Sequence, residues 1–170
     1  MNSQQRVVLA IDPGPVYSAY CVVDADTMKP LEFDKVKNET LREYINEFSF
    51  EREDRAVIEM IQSFGMAVGK DVFDTLVWVG RFAEQLDERS FQPTAFVLRK
   101  EEKLHICGSV KAKDTNIRHA LIDRFCSHDF TQGKGTKANP DWFYGFKADV
   151  WMAYAVAITH IEAHLMEDLR

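Results

Sequence analysis

Apolar and polar positions along the chain follow two rhythms, and the changes between them outline a fold. Residues 6–12 (RVVLAID) and 18–24 (SAYCVVD) are short β-rich runs joined by PGPVY, which predicts a hairpin. A third run, Leu31–Val36, extends it into a meander. From Asn38 to Phe48 the period lengthens: Leu41, Tyr44, Ile45 and Phe48 share one helical face, with Asn38 or Thr40 as the N-cap. RAVIEM, 55–60, is a short buried strand reaching Glu59. Asp71–Leu86 places Val72, Leu76, Val79, Phe82, Ala83 and Leu86 on one stripe, and TAFVL, 94–98, is a fifth strand. Lys113–Phe125 turns Ile117, Leu121, Ile122 and Phe125 inward. Ser127–Asp141 is a polar loop, and Phe146–Leu165 is a long helix, apolar through VWMAYAVAI. The order β-β-β-α-β-α-β-α-α predicts an α/β fold: a five-stranded mixed sheet with helices on both faces.

Composition narrows the class. At 170 residues with no linker or shift in composition, one domain over 1–170 is expected. A hydrophobic fraction of 46% suits a globular core. No apolar run approaches the roughly 20 residues that span a bilayer, and the N-terminus lacks a signal-peptide pattern, so a cytoplasmic protein is expected. Cys21, Cys107 and Cys126 are widely spaced and fit small buried thiols in a reducing compartment. The net charge of −6 argues against a general nucleic-acid coat. It leaves room for local basic surfaces at Arg99–Lys103, Lys111–Lys113 and Lys134–Lys137.

The candidate chemistry lies in acids at strand ends. Asp12 follows VVLAI and opens into Pro-Gly-Pro, Glu59 follows AVI, and Asp149 lies near the start of the apolar helix. Asp12 alone reads either as a turn cap or as a functional carboxylate at the rim of a sheet, where α/β proteins place ligands. Buried carboxylates cost several kcal/mol unless paired or metal-bound. Three of them suggest a hard divalent cation such as magnesium, which prefers carboxylate oxygens and retains water. Two such ions about 4 Å apart can activate water for phosphodiester hydrolysis. His160 and His164 stand one helical turn apart, but no third zinc ligand accompanies them. Trp78, Trp151, Tyr154 and Met152 read as core or interface residues. Serine or cysteine hydrolase motifs are lacking.

Four segments in order resemble the RuvC-type Holliday-junction resolvases of the ribonuclease H-like superfamily: AIDPGPVYSAYCVVD, AVIEM, HICGSVKAKDTNIRHAL and KADVWMAYAVAITH. They span nearly the whole chain. The resemblance implies a ribonuclease H-like fold and metal-dependent cleavage of branched DNA, four-way junctions above all. It makes Asp12, Glu59 and Asp149 the catalytic and metal-binding carboxylates, with Mg2+ as cofactor and Mn2+ as a substitute. Two opposed nicks call for two sites, which a symmetric homodimer supplies. The chain departs from the family at one point. The family commonly has two acids three apart at the start of its last helix; here Asp149 is followed by Met152. Asp141 or Asp114 are the candidates to replace the missing acid.

The same resemblance makes Lys111, Lys113 and Arg118 candidate DNA contacts, holding phosphates without reading sequence. Phe64, in the Gly-containing segment after Glu59, is either an aromatic wedge at the junction or a core residue of the next helix. Two alternatives stand beside the nuclease: a non-catalytic branched-DNA binding module on the same fold, and an actin-like or sugar-kinase-like ATP-binding domain. The second needs two such domains and a further phosphate motif.

Overall fold

The computed structural model describes residues 5–62, 65 and 67–165. Phe64 lies outside the described residues. The strands are β1 (Val7–Asp12), β2 (Tyr17–Asp24), β3 (Pro30–Lys37), β4 (Arg55–Met60) and β5 (Ala95–Leu98). They form one mixed sheet in the order β3-β2-β1-β4-β5. β1, β2 and β3 run antiparallel as a meander, while β4 and β5 continue parallel to β1. The helices are α1 (Asn38–Glu47), α2 (Lys70–Arg89), α3 (Arg99–Cys107), α4 (Asp114–Phe125) and α5 (Val150–His160), which passes into a π-helical turn over Ile161–Leu165.

Strand alternation sorts the core into two layers. Leu9, Ile11, Ala56 and Ile58 point toward α1 and α2, where Leu41, Ile45, Val79, Phe82 and Leu86 meet them. Val8, Ala10, Ala19, Cys21, Val57 and Val97 point the other way, onto α5 and α4. Every residue of α5 is buried, which explains its unbroken apolar run. A helix hydrophobic all round belongs inside the molecule. Tyr154 adds a polar anchor: its hydroxyl donates to the Met28 carbonyl at 2.8 Å and accepts from Trp142 Nε1 at 3.1 Å.

The structure differs from the sequence reading in four places. α3 is an additional helix: its run of charges carries no apolar stripe, and its one buried residue is Glu102. Asn38 is not the N-cap of α1; that position is Lys37, without a side-chain cap bond. Asn38 is instead wholly buried and fastens the Pro-Gly-Pro turn. Its Nδ2 donates to the Gly14 carbonyl at 2.9 Å, and its Oδ1 accepts from the Ser18 hydroxyl at 2.6 Å. Leu76 does not face the core: the N-terminal half of α2 leaves Phe73, Leu76 and Val77 at 59%, 39% and 54% exposure, and Thr75 turns inward instead. Finally, α5 starts at Val150, since the residues before it form turns around Ala148, whose φ is +44°.

No helix among the described residues is long and apolar enough to cross a membrane.

Candidate active site

The register of the sheet builds the site. Asp12 pairs laterally with Ala19, and Ala19 with Lys35. On the other side Ile11 pairs with Ile58, so the next step sets Asp12 beside Glu59, which pairs with Val97. Laterally paired residues share a face. Lys35, Asp12 and Glu59 therefore all point to the α5 side, at the carboxyl ends of the parallel strands β1 and β4. An open α/β sheet has its ligand crevice there.

The turn after Asp12 is held tightly. The Gly14 amide donates to Ser18 Oγ at 3.1 Å, and a Cβ on Gly14 would sit 2.3 Å from the Tyr17 carbonyl oxygen. Glycine is therefore required for the chain to turn so closely at this point. The Pro-Gly-Pro sequence fixes the direction in which Asp12 leaves the strand.

Asp12 and Glu59 stand side by side at the ends of neighbouring strands, and the Glu59 charge acts on Asp12. Burial pushes the Asp12 carboxyl well above the usual carboxylate range; the Glu59 charge adds to this, Arg99 opposes it, and the Asp149 charge raises it further. Burial also raises Glu59, against the pull of Arg99.

Asp149 occupies the position before α5 without a side-chain cap bond, immediately after the left-handed Ala148. A non-glycine residue at positive φ stores strain, and such residues gather at functional sites. Asp149 lies within electrostatic reach of Asp12, but its Oδ2 is ion-paired with Lys35 Nζ at 2.5 Å. Met152 borders the same pocket as Asp149, Asp114 and Arg118, and it brings no oxygen to it.

The two candidates for the missing acid separate cleanly. Asp114 reaches the site: its Oδ1 pairs with Arg99 Nη2 at 2.6 Å, and its charge acts on Glu59. Asp141 does not. It is a structural acceptor in the 127–141 loop, taking N–H groups from Ser127, His128, Asp129 and Trp142 at 2.6–2.9 Å. Those bonds overcome desolvation and hold its carboxyl well below the usual range.

Sequence reasoning missed two members of the cluster. Arg99 Nη1 donates to Glu59 Oε2 at 3.0 Å and to Glu102 Oε2 at 3.4 Å. Glu102 is 0% exposed. Burial, then the Glu59 charge, push its carboxyl well up, against Arg99. Both residues sit in the charged run RKEEK, which reads as a solvated surface. A signal lay in its position: a basic residue directly following a strand that pairs with the acid-tipped β4.

The basic candidates flank this cluster. Lys111 and Lys113 are exposed in the connection that leads into Asp114. Arg118 lies with its guanidinium 4.7 Å from the centre of the Trp151 ring, on the rim shared with Asp149. His160 and His164 rings lie 5.5 Å apart, and among the described residues neither nitrogen of buried His160 has a hydrogen-bond partner.

Among the described residues, no group of three or more His, Cys, Asp or Glu side chains is gathered tightly enough to hold a metal ion. Asp12 and Glu59 nonetheless fit one hard cation. Their donors are carboxylate oxygens, they stand half-buried side by side, and magnesium commonly binds through one or two carboxylates with water and phosphate completing its shell.

No family model matches the sequence, and no curated protein matches it. Solved structures do match the fold. Thermus thermophilus RuvC in complex with a Holliday junction substrate superposes with a TM-score of 0.62 at 16% identity, covering 96% of this chain and 97% of that one. A second Thermus thermophilus RuvC structure gives a TM-score of 0.61 at 18% identity, covering 94% and 96%. The chain thus has the RuvC-like, ribonuclease H-like fold over nearly its full length.

Proposed function

We propose that the chain is a metal-dependent endonuclease that resolves four-way DNA junctions by paired phosphodiester hydrolysis. The observation that carries this reading is the half-buried Asp12–Glu59 pair, set side by side at the carboxyl ends of two parallel strands. It stands on a fold shared with a resolvase solved on its junction. In this reading Asp12 and Glu59 hold Mg2+, or Mn2+ in its place, and Asp149 completes the acidic rim. The bound ion would polarise the phosphoryl oxygen and make water a better nucleophile at neutral pH.

The protein's own groups do the rest. Lys111, Lys113 and Arg118 hold phosphates and set the strand across the acids. The row of Lys35, Asp12 and Glu59 fixes the geometry on strands rather than on loops. Opposed nicks require a second site, and a C2 homodimer is the proposed assembly. The apolar face of Phe73, Leu76 and Val77 on α2, left exposed in the single chain, is the surface offered to a second copy. A non-catalytic junction-binding module is the second reading. It is favoured by Met152 at the position of the missing acid and by the Lys35–Asp149 ion pair.

The test is incubation with labelled four-way junction, duplex and RNA–DNA hybrid, with and without Mg2+ or Mn2+. Nicking of the junction that requires the ion supports the nuclease. Tight junction binding without nicking under any ion supports the binding module.

A further inference from the structure

Arg99 opens α3 directly after β5, and its guanidinium sits among carboxylates from three elements. Glu59 comes from β4, Glu102 from α3 itself and Asp114 from the start of α4. The charge of Arg99 acts on Asp12 as well. One resident cation therefore serves four acids, and it is bonded at 3.0 Å to an oxygen of Glu59. Among the described residues, the other oxygen of Glu102, Oε1, is buried and has no partner. The cluster is short of positive charge, yet one of the two carboxylates suited to a divalent ion is already engaged.

We propose that Arg99 is a positioning residue that latches the site, competing with the divalent ion for Glu59. The proposal rests on reading Asp12 and Glu59 as the metal ligands. In the DNA-free protein Arg99 holds Glu59; loading of the site moves the guanidinium off that oxygen. Two features make the exchange feasible. Glu102 and Asp114 keep the head anchored when Glu59 is given up, so no buried charge is left wholly unpaired. Arg99 is also a quarter exposed and, with Lys100, Lys103 and Glu59, borders a groove of about 440 Å3. A DNA phosphate entering that groove meets a planar fork that suits phosphate as well as carboxylate. The latch keeps a surplus of acids from binding stray cations when no substrate is present.

The experiment is a Mn2+ titration of the DNA-free protein, followed by electron paramagnetic resonance of the unbound ion. Wild type, Arg99→Gln, Arg99→Lys and Asp12→Asn are compared. The expected result is a dissociation constant about tenfold or more lower in Arg99→Gln, because a neighbouring opposite charge biases a carboxylate by about one to three powers of ten. Arg99→Lys should keep much of the competition, and Asp12→Asn should lose the site. If Arg99→Gln fails to fold, Arg99→Gln/Glu102→Gln removes the buried charge with its partner and carries the same expectation. Unchanged or weaker Mn2+ binding in the folded Arg99 variant overturns the latch. That failure is distinct from failure of the metal reading, in which wild type and Asp12→Asn bind Mn2+ alike.

Discussion

Two groups of carboxylates in this molecule have opposite fates. In the 127–141 loop, Asp129 accepts N–H groups from Thr131, Gln132, Lys134 and Gly135, and Asp141 accepts four more. Backbone bonds push both carboxyls down, Asp141 against its own desolvation. At the strand ends Asp12 and Glu59 are half-buried, Glu102 of α3 beside them is fully buried, and desolvation pushes all three carboxyls up. An acid saturated by N–H groups has finished its work once the loop is folded. An acid buried without enough positive charge still has an interaction to make. The sign of the shift, together with the partners behind it, separates scaffold from site.

The largest effect should come from Asp12→Asn. Cleavage of a four-way junction should fall by about a thousandfold or more, since a ligand to the catalytic ion is removed. Junction affinity should stay within a few-fold, because no group that holds a phosphate is altered. A gel-shift beside a cleavage assay reads both, and parallel loss of binding would place Asp12 in the scaffold group. The loop gives the reverse pattern. Asp141→Asn should lower unfolding stability by about 3 kcal/mol, as several charge-assisted bonds weaken together. Denaturant unfolding checks this, and an unchanged midpoint would erase the distinction.

Gly14→Ala tests the turn that links the two worlds, scaffold and site. A Cβ there must displace the Tyr17 carbonyl. A loss of about 1–3 kcal/mol is expected, with activity falling further than stability because Asp12 is re-aimed. Circular dichroism melts and junction cleavage on the same sample would separate these.

The pH dependence of stability should differ in sign between the groups. For Asp141 the folded value is depressed, so its contribution is full above about pH 4 and is lost as pH falls toward the folded value. For Asp12 the folded value is raised, so stability declines as pH climbs from about 4 toward that value. Buried His160, whose pKa is pushed down to about 4, contributes a rise with pH between there and its ordinary range, so wild type alone would mix the slopes. The quantity to measure is the difference between Asp12→Asn and wild type: in metal-free buffer the variant should gain on wild type as pH rises from 4 to 7. A flat difference would mean that Asp12 is not buried against its charge.

What is legible in the sequence follows the same division. Short apolar runs that end in an acid place Asp12 and Glu59 at strand ends, and the apolar run of α5 announces a buried helix, because burial leaves a pattern in hydrophobicity. Arg99 and Glu102 leave none: a buried salt-bridge network has the composition of a surface helix. Asp141 reads as a spare ligand, since an acid used by backbone amides looks in sequence like any other acid. Leu76 reads as inward by its spacing, yet α2 is longer than the sheet face it covers. Lys111 and Lys113 are legible as charge but not as partners of DNA. Changing both to Ala is the smallest of the expected effects: the log–log salt slope of junction binding should drop by about 0.9 for each phosphate that is no longer neutralised. An unchanged slope would make them a solvated face and shift attention to Lys134 and Lys137.

The central claim is that the Asp12–Glu59 pair is a site built for a cation, and thermal unfolding at pH 7 with and without Mg2+ or Mn2+ tests it most directly. In the metal-free state Asp12→Asn should melt higher than wild type, because it removes a carboxyl that the unfolded chain ionises more readily than the folded one. Adding the ion should raise the wild-type midpoint in proportion to the logarithm of its concentration and leave the variant where it was. An equal ion-dependent shift in both proteins, or a variant that melts lower without metal, would contradict the account.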